Sequence, residues 1–184
     1  MIQTAATLDD LMKVDGKAEL ISGRIVTFMP NGYLPGKIAQ RITASLTKYT
    51  EAGAFGEAIA DSVAYGFDKP LPSGRQSFCP DSSFFTGRVV PTHMGFIRGF
   101  PIFAVEVRSA SDYDPSADRE YEEKRHDYFT AGTEIVWDVD PIARTIHAYR
   151  AGDPASPTVY RVGDIADAEP VLPGWRLNVT ELFK

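Results

Sequence analysis

The sequence predicts an α/β or α+β fold, with a sheet core and helices packed on it. An apolar run at 102–107, IFAVEV, is typical of a strand that is buried on both faces. Apolar side chains recur at helical spacing from Leu34 to Tyr49. Two strand-like segments flank a turn at Asp140-Pro141. Because strands and helices are mixed without strict alternation, both classes remain open.

The first half of the chain is predicted to contain two helices and two pairs of strands. Thr7 indicates the start of a short helix that ends at Gly16. Two short strands are expected within 18–28, around a Ser-Gly turn, and the long helix continues to about residue 50. Two further strands, at 55–67 and 78–86, flank a turn rich in proline and glycine.

The second half is predicted to contain the buried strand, one helix and two more strands. The helix covers 117–131 and ends at Gly132, and the strands cover 134–139 and 144–150. The tail from Gly152 is rich in turn residues and is expected to end in short pieces such as WRLNVTELF. Without repeats or low-complexity segments, residues 1–184 are expected to form a single domain.

Composition limits the function classes. The chain has no apolar run near the roughly 18 residues of a membrane helix, and its start lacks the order of a signal peptide, so a cytoplasmic protein is expected. One cysteine excludes an internal disulfide framework. The net charge of −6 argues against simple tight binding to a phosphate backbone. However, residues 1–111 carry +1 and residues 112–184 carry −7, so a polyanion would meet the first part more easily.

Glu106 is the most informative residue, because it lies inside the predicted apolar strand. An unpaired carboxylate in such a place is strongly destabilised by desolvation. We therefore expect Glu106 to be ion-paired, protonated or bound to a cation. A salt bridge with Arg108 is one such pairing, since residues two apart on a strand share a face.

Two other residues are candidates for the same polar site. Asp81 follows Pro80 among aromatic neighbours, at a position where a simple turn-forming aspartate is also common. Lys124 shares a helix face with Tyr121 and Tyr128, where it either reaches past the core to solvent or points at a carboxylate.

Together these residues predict metal-dependent hydrolysis of phosphodiester bonds. Asp81 and Glu106, on neighbouring strands, offer the oxygen ligands that suit Mg²⁺ or Mn²⁺. Lys124 close by would orient a water and offset charge that develops on a phosphate. Glu19, in the first strand region, would add another carboxylate.

Other chemistries have less support. The chain has no nucleophile elbow, phosphate-binding P-loop or dinucleotide fingerprint, and its three histidines lack metal-ligand spacing. Cys79 is expected to be a buried structural residue. Lys37 and Arg41 lie on an outward stripe of the long helix, which is usually a solvated face. For a nuclease, these two residues are candidates for binding substrate.

The order and spacing of these segments resemble the Uma-type (Uma-two) family of restriction-endonuclease-like proteins, within the PD-(D/E)XK nuclease superfamily. The resemblance runs from about Glu19 to the C-terminus and includes PDSSFF, PIFAVEVRSASD, KRHDYFTAG, EIVWDVDP and LPGW. It implies a restriction-endonuclease-like core, a mixed central β-sheet flanked by helices. It also implies an Mg²⁺- or Mn²⁺-dependent endonuclease that acts on DNA.

The resemblance also implies roles for individual residues. Asp81 and Glu106 would bind the metal ion, and Glu19 would match an acidic residue of the family's first conserved segment. The superfamily motif has its lysine two residues after the glutamate, where this chain has Arg108. In Uma-type proteins the lysine lies on the following helix, which gives Lys124. We favour Lys124 as catalytic and Arg108 as a charge partner or phosphate contact, because an arginine stays protonated.

One departure from the family leaves a second function open. Family members often carry a histidine near the start of the long helix, where this chain has Pro35. If that histidine assists binding or catalysis, the chain would be slower, altered in substrate or inactive. The alternative function is therefore a catalytically inactive nuclease-fold module for binding or assembly. For an active enzyme, a homodimer would suit cleavage of two strands by symmetry.

Overall fold

The centre of the structure is a six-stranded mixed sheet, in a computed structural model that describes residues 5–90 and 93–184. The elements follow the chain as α1 Leu8–Leu11, β1 Ala18–Ile21, β2 Arg24–Thr27, α2 Tyr33–Glu51, β3 Glu57–Ala60, β4 Tyr65–Gly66, β5 Ser77–Phe78, β6 Ser82–Phe85, β7 Ile97–Arg98, β8 Phe103–Val107, α3 Pro115–Ala131, β9 Ile135–Asp140, β10 Thr145–Arg150, β11 Asp153–Arg161, β12 Ile165–Asp167, β13 Arg176–Asn178 and α4 Val179–Leu182. The central sheet has the order β3-β6-β8-β9-β10-β11. Strands β8 and β9 are parallel, and the other neighbours are antiparallel.

The two long helices pack with different residues of the central strands. The buried face of α2, with Ile38, Ile42 and Leu46, belongs to the same apolar cluster as Phe103 and Val105. Tyr128 of α3 belongs to a second cluster that contains the intervening residue of β8, Ala104. Because neighbouring residues of a strand point to opposite faces, Glu106 lies on the same face of β8 as Ala104. This alternation places Glu106 toward α3.

Helix α3 has strong signals at both ends. The Asp114 side chain accepts hydrogen bonds from the backbone N–H groups of Ser116 and Ala117, and Pro115 occupies the first turn. Gly132 closes the helix with a φ of 114°, a left-handed conformation that glycine adopts at little cost. These two caps fix where Lys124 and Tyr128 stand relative to β8.

The predicted fold class is confirmed, since helices flank a mixed central sheet. Two of the predicted strands are each divided. The segment 55–67 forms β3 and β4 in different sheets, with Ser62 at a φ of 69° between them, and 78–86 is broken around Pro80. The first helix ends at Leu11 and not at Gly16.

The tail ends in the short elements β12, β13 and α4, as predicted. Its first part forms β11, a nine-residue strand that the turn residues did not indicate and that contains Pro154 and Pro157. The strand lies at the edge of the central sheet, where a missing backbone N–H can face away from the ladder. Over the described residues, no helix is both long and apolar enough to cross a membrane.

Candidate functional site

Asp81 and Glu106 are brought together by the pairing of β6 with β8. The Asp81 backbone N–H donates to the Val105 carbonyl at 3.0 Å, which continues the ladder one residue before β6. Its side-chain Oδ2 then accepts a hydrogen bond from the Val107 N–H at 2.7 Å. Both carboxylates are buried. The Asp81 side chain is therefore fixed against the strand that carries Glu106.

Lys124 connects Glu106 with Glu19. Its Nζ lies 2.9 Å from Glu106 Oε1 and 3.0 Å from Glu19 Oε1. Tyr128, one turn further along α3, donates its hydroxyl to the same Glu106 oxygen at 2.7 Å. Residues four apart on a helix share a face, so one face of α3 supplies both groups to Glu106. Lys124 thus points at a carboxylate, one of the two alternatives that the sequence left open.

Glu19 is completely buried, and its carboxylate contacts Lys124, Arg75 and the Cys79 backbone. Its Oε1 accepts a hydrogen bond from the Cys79 backbone N–H at 2.9 Å, and its Oε2 pairs with the Arg75 guanidinium. The Nε of Arg75 also donates to Asp127 Oδ2 at 2.8 Å. Glu19 therefore pairs with both Lys124 and Arg75, and its carboxylate is not accessible to solvent.

Burial and charge act in opposite directions on these groups. Burial raises the pKa of Glu106 above its usual value. Burial alone would lower the pKa of Lys124, but Glu106 and Glu19 more than reverse this, so its pKa lies above the usual value. For Glu19, the charges of Lys124 and Arg75 outweigh burial and lower its pKa. Lys124 is therefore a cation at neutral pH, suited to donating hydrogen bonds.

A second group of polar residues reaches Asp81 from the β1–β2 region. The Lys17 Nζ lies 2.6 Å from Asp81 Oδ1 and 2.9 Å from Asp61 Oδ1. The Asn31 amide donates to the same two carboxylates, at 3.0 Å to Asp81 and 2.9 Å to Asp61. The adjacent carboxylates, Asp81 foremost, raise the pKa of Lys17 despite its burial. An ammonium thus already neutralises charge at Asp81.

A groove leads along α2 to these residues. It has a volume of about 320 Å³, and its lining includes Gln40, Thr43 and Thr47 of the helix together with Asp61 and Asp81. Asp81 is therefore buried beneath the surface yet lies at the end of an open depression.

The donor set fits a hard divalent cation in part. Within residues 5–90 and 93–184, no group of three or more His, Cys, Asp or Glu side chains is arranged to hold a metal ion. However, Mg²⁺ is usually held by one or two carboxylates, with water and substrate phosphates as its other ligands. Glu106 Oε1 is occupied by Tyr128 and Lys124, and no described residue donates a hydrogen bond to Oε2. Glu106 Oε2 could therefore bind such an ion directly, whereas Asp81 Oδ1, which contacts Lys17 and Asn31, could bind it only in place of the Lys17 ammonium.

The sequence profile of the Uma2 family, described as "Putative restriction endonuclease", matches residues 5–180. The chain belongs to this family. The Uma2-family fold is also found in a crystal structure of a putative nuclease belonging to DUF820 from Anabaena variabilis ATCC 29413. That protein is 20% identical, with a TM-score of 0.70, and the match covers 96% of this chain and 97% of the other. Among curated proteins no match is found.

In this Uma2-family protein, Arg108 is already paired with the protein's own carboxylates. Its guanidinium donates to both oxygens of Asp138, at 3.1 and 3.0 Å, and lies 2.8 Å from Asp118. Its carbon atom Cζ lies 4.9 Å from the centroid of the Tyr121 ring. Arg108 is thus not the partner of Glu106, and its contact with a phosphate stays a prediction.

The two candidates for substrate binding on α2 have different surroundings. Lys37 lies over the ring of Tyr33, with 5.6 Å from its Nζ to the centroid. Arg41 donates to the carbonyl of Leu182 at 2.9 Å and to that of Lys184, so it faces the C-terminal end of the chain. Pro35 lies in the first turn of α2, where it offers no side-chain hydrogen bond.

Several residues of the site are absent from the sequence predictions. Lys17 had one usable signal, because it stands two residues before Glu19 and extended residues with that spacing share a face. Asp127 also had one, because it lies on the predicted helix three residues after Lys124, a spacing that places side chains near each other. Arg75, Asn31 and Asp61 had none, since they come from loops and are joined only by the fold. Cys79 is buried as expected, and burial raises the pKa of its thiol to about 12.

Proposed function

We propose that this Uma2-family protein is a metal-dependent endonuclease that hydrolyses DNA phosphodiester bonds. In this proposal Asp81 and Glu106 hold the metal ion, and Lys124 is the catalytic cation. The observation that carries the proposal is the junction at Glu106, where a buried carboxylate, a lysine ammonium at 2.9 Å and a tyrosine hydroxyl at 2.7 Å meet beside Asp81. Membership of a restriction endonuclease family independently supports a nuclease.

A bound Mg²⁺ or Mn²⁺ would lower the pKa of a coordinated water and polarise the phosphate. The protein's own residues prepare the site for this chemistry. The Val107 N–H fixes Asp81, and Tyr128 fixes Glu106 through Oε1. The Lys124 ammonium would donate a hydrogen bond to the attacking water or to a phosphate oxygen, and so offset the negative charge of the transition state. Since its pKa is raised, Lys124 would act as a donor and not as a general base.

The first test is DNA cleavage by Lys124→Met. Methionine has a similar length but no charge, so we expect nicking of supercoiled plasmid in Mg²⁺ or Mn²⁺ to fall by about a hundredfold or more. The control is Lys69→Met, which removes an exposed lysine in the turn before β5. Melting curves followed by circular dichroism would separate loss of fold from loss of chemistry. Equal nicking by the wild type and a folded Lys124→Met would contradict the proposal.

One observation favours a second function, a nuclease-fold module that binds partners without catalysis. The Lys17 ammonium lies 2.6 Å from Asp81 and already supplies a positive charge where the proposed metal ion would bind. In that case calorimetry would detect no binding of Mg²⁺ or Mn²⁺ to the wild type, and DNA binding would survive replacement of Asp81.

The Lys17→Met variant distinguishes these functions by metal affinity. If Asp81 is a metal ligand, loss of the neighbouring ammonium removes a repelling charge, and we expect Mn²⁺ to bind about tenfold more tightly. Isothermal titration calorimetry measures this affinity. Lys13→Met is the control, because the described ion pair of Lys13 is with Asp10 on the surface and does not include Asp81. Unchanged or weaker Mn²⁺ binding by a folded Lys17→Met would exclude competition between the lysine and the ion.

A further inference from the structure

Residues 20–50 differ from the rest of the chain in charge. They contain four basic side chains and no aspartate or glutamate, although the whole protein has a net charge of −6. Arg24 and Lys48 are exposed, and Lys37 and Arg41 are partly buried. This segment, which forms most of the β1–β2 hairpin and nearly all of α2, is therefore the part of the chain best suited to a polyanion.

The loop between β2 and α2 exposes large apolar side chains within this basic segment. Met29 is 85% exposed, Tyr33 at the start of α2 is 82% exposed, and Phe28 is 39% exposed. Large apolar side chains are usually buried, and several exposed ones close together in the chain are typical of a binding site. We refer to residues 28–33 as the aromatic loop.

The aromatic loop is attached directly to the candidate catalytic residues. Asn31, in its middle, donates to Asp81 at 3.0 Å. At one end the Phe28 ring centroid lies 5.6 Å from the Lys124 Nζ. A strand whose phosphate lies at Asp81 and Lys124 therefore has its neighbouring bases within reach of this loop.

Each ring of the loop is also paired with an ammonium group. Lys124 stands beside Phe28, and Lys37 stands beside Tyr33 at the same distance of 5.6 Å from Nζ to centroid. An aromatic face next to a cation matches a nucleotide, because the base can stack and its phosphate can meet the charge. A regular duplex hides the faces of its bases within the stack, and a ring reaches them only by unstacking a base step, so unpaired bases fit such rings at the lowest cost.

We propose that the aromatic loop binds unpaired DNA, with Phe28 and Tyr33 stacking on bases that flank the scissile phosphate. This proposal rests on the proposed function, since it takes the Asp81–Glu106–Lys124 site as the place of cleavage. It narrows the substrate class to single strands and to the unpaired regions of branched or melted DNA.

The test measures binding separately from cleavage. The wild type, Phe28→Ala and Tyr33→Ala are titrated in Ca²⁺ against a fluorescein-labelled single strand and its duplex, with fluorescence anisotropy as the readout. We expect each variant to bind the single strand about tenfold more weakly, and to bind the duplex nearly as the wild type does. The matched control is Phe55→Ala, because Phe55 is 83% exposed but lies in the turn after the far end of α2.

Two results would overturn the proposal. In the first, neither loop variant changes the affinity for the single strand, or Phe55→Ala lowers this affinity as much as the loop variants do. In the second, the wild type is a dimer by sedimentation and Tyr33→Ala is a monomer, which would mean that the loop binds a second copy of the chain. Failure of the proposed function would give a different result. The protein would not nick DNA in Mg²⁺ or Mn²⁺, but it would still bind single strands, and Phe28→Ala and Tyr33→Ala would still weaken that binding.

Discussion

Replacing Asp81 by asparagine is expected to reduce metal-dependent DNA cleavage by about a thousandfold or more, because the contribution of a bound divalent ion to such a reaction is several kcal/mol. Asparagine has nearly the same shape, so its amide oxygen can still accept the Val107 N–H that now donates at 2.7 Å to Asp81 Oδ2. It lacks the negative charge, and its amide NH2 replaces the oxygen that now accepts hydrogen bonds from Lys17 and Asn31, so some loss of stability accompanies the change. We therefore expect Mn²⁺ binding to disappear from a variant that is still folded.

The measurement combines calorimetry with Mn²⁺ and nicking of supercoiled plasmid. Asp164→Asn is the matched control, because it makes the same chemical change in a turn at the surface. There the described contact of the carboxylate is a hydrogen bond from the Arg161 N–H at 2.7 Å. Asp164 follows β11, at the opposite side of the sheet from Asp81. If Asp81→Asn still bound Mn²⁺ and cut DNA like the wild type, Asp81 would not be a metal ligand.

Replacing Arg75 by methionine is expected to lower the free energy of unfolding by about 3–5 kcal/mol, the usual cost of breaking a buried ion pair. Arg75 is buried and bridges two carboxylates, Glu19 and Asp127, which are buried as well. Methionine fills part of the space but leaves both charges without this partner. Urea unfolding at neutral pH would measure the loss.

The control and the pH dependence sharpen this prediction. Arg98→Met removes an arginine that pairs with Asp68 at 3.4 Å on the surface, and we expect no measurable change. The folded-state pKa of Glu19 is lowered, so its ion pairs stabilise the fold above the usual pKa of a glutamate, and this stability is lost as the pH falls through the lowered value. The difference between Arg75→Met and the wild type should therefore shrink in acid. A constant difference would mean that Glu19 is not the charge involved.

The sequence was sufficient for features that depend on local pattern. The apolar strand around Glu106 and the helix that carries Lys124 follow from periodicity, and Gly132 is recognisable as the end of that helix. The need for a partner at Glu106 could be inferred because an isolated carboxylate in a buried strand is strongly destabilised, but the sequence left Arg108 and Lys124 both open as that partner. The wider resemblance to a nuclease family then related Asp81 and Glu19 to the same site.

What the sequence could not predict depends on contacts between distant segments. Arg75 lies 56 residues from Glu19 and 52 from Asp127, and no local spacing indicates that one guanidinium joins them. Asn31 reaches Asp81 from a loop without regular structure. Strand β11 was hidden for another reason, because its prolines oppose a strand by propensity while its edge position tolerates them.

The ion pairs around the candidate site have a further consequence when their charges are considered as connected chains. One chain joins Lys17 to Asp61 and Asp81, with one cation for two carboxylates. The other joins Asp127, Arg75, Glu19, Lys124 and Glu106, with two cations for three carboxylates. With every group ionised, each chain carries one excess negative charge, and each ends at one of the two proposed ligands, Asp81 or Glu106. Taken together, the two chains thus have a formal deficit of two positive charges, which is the charge of a single divalent ion.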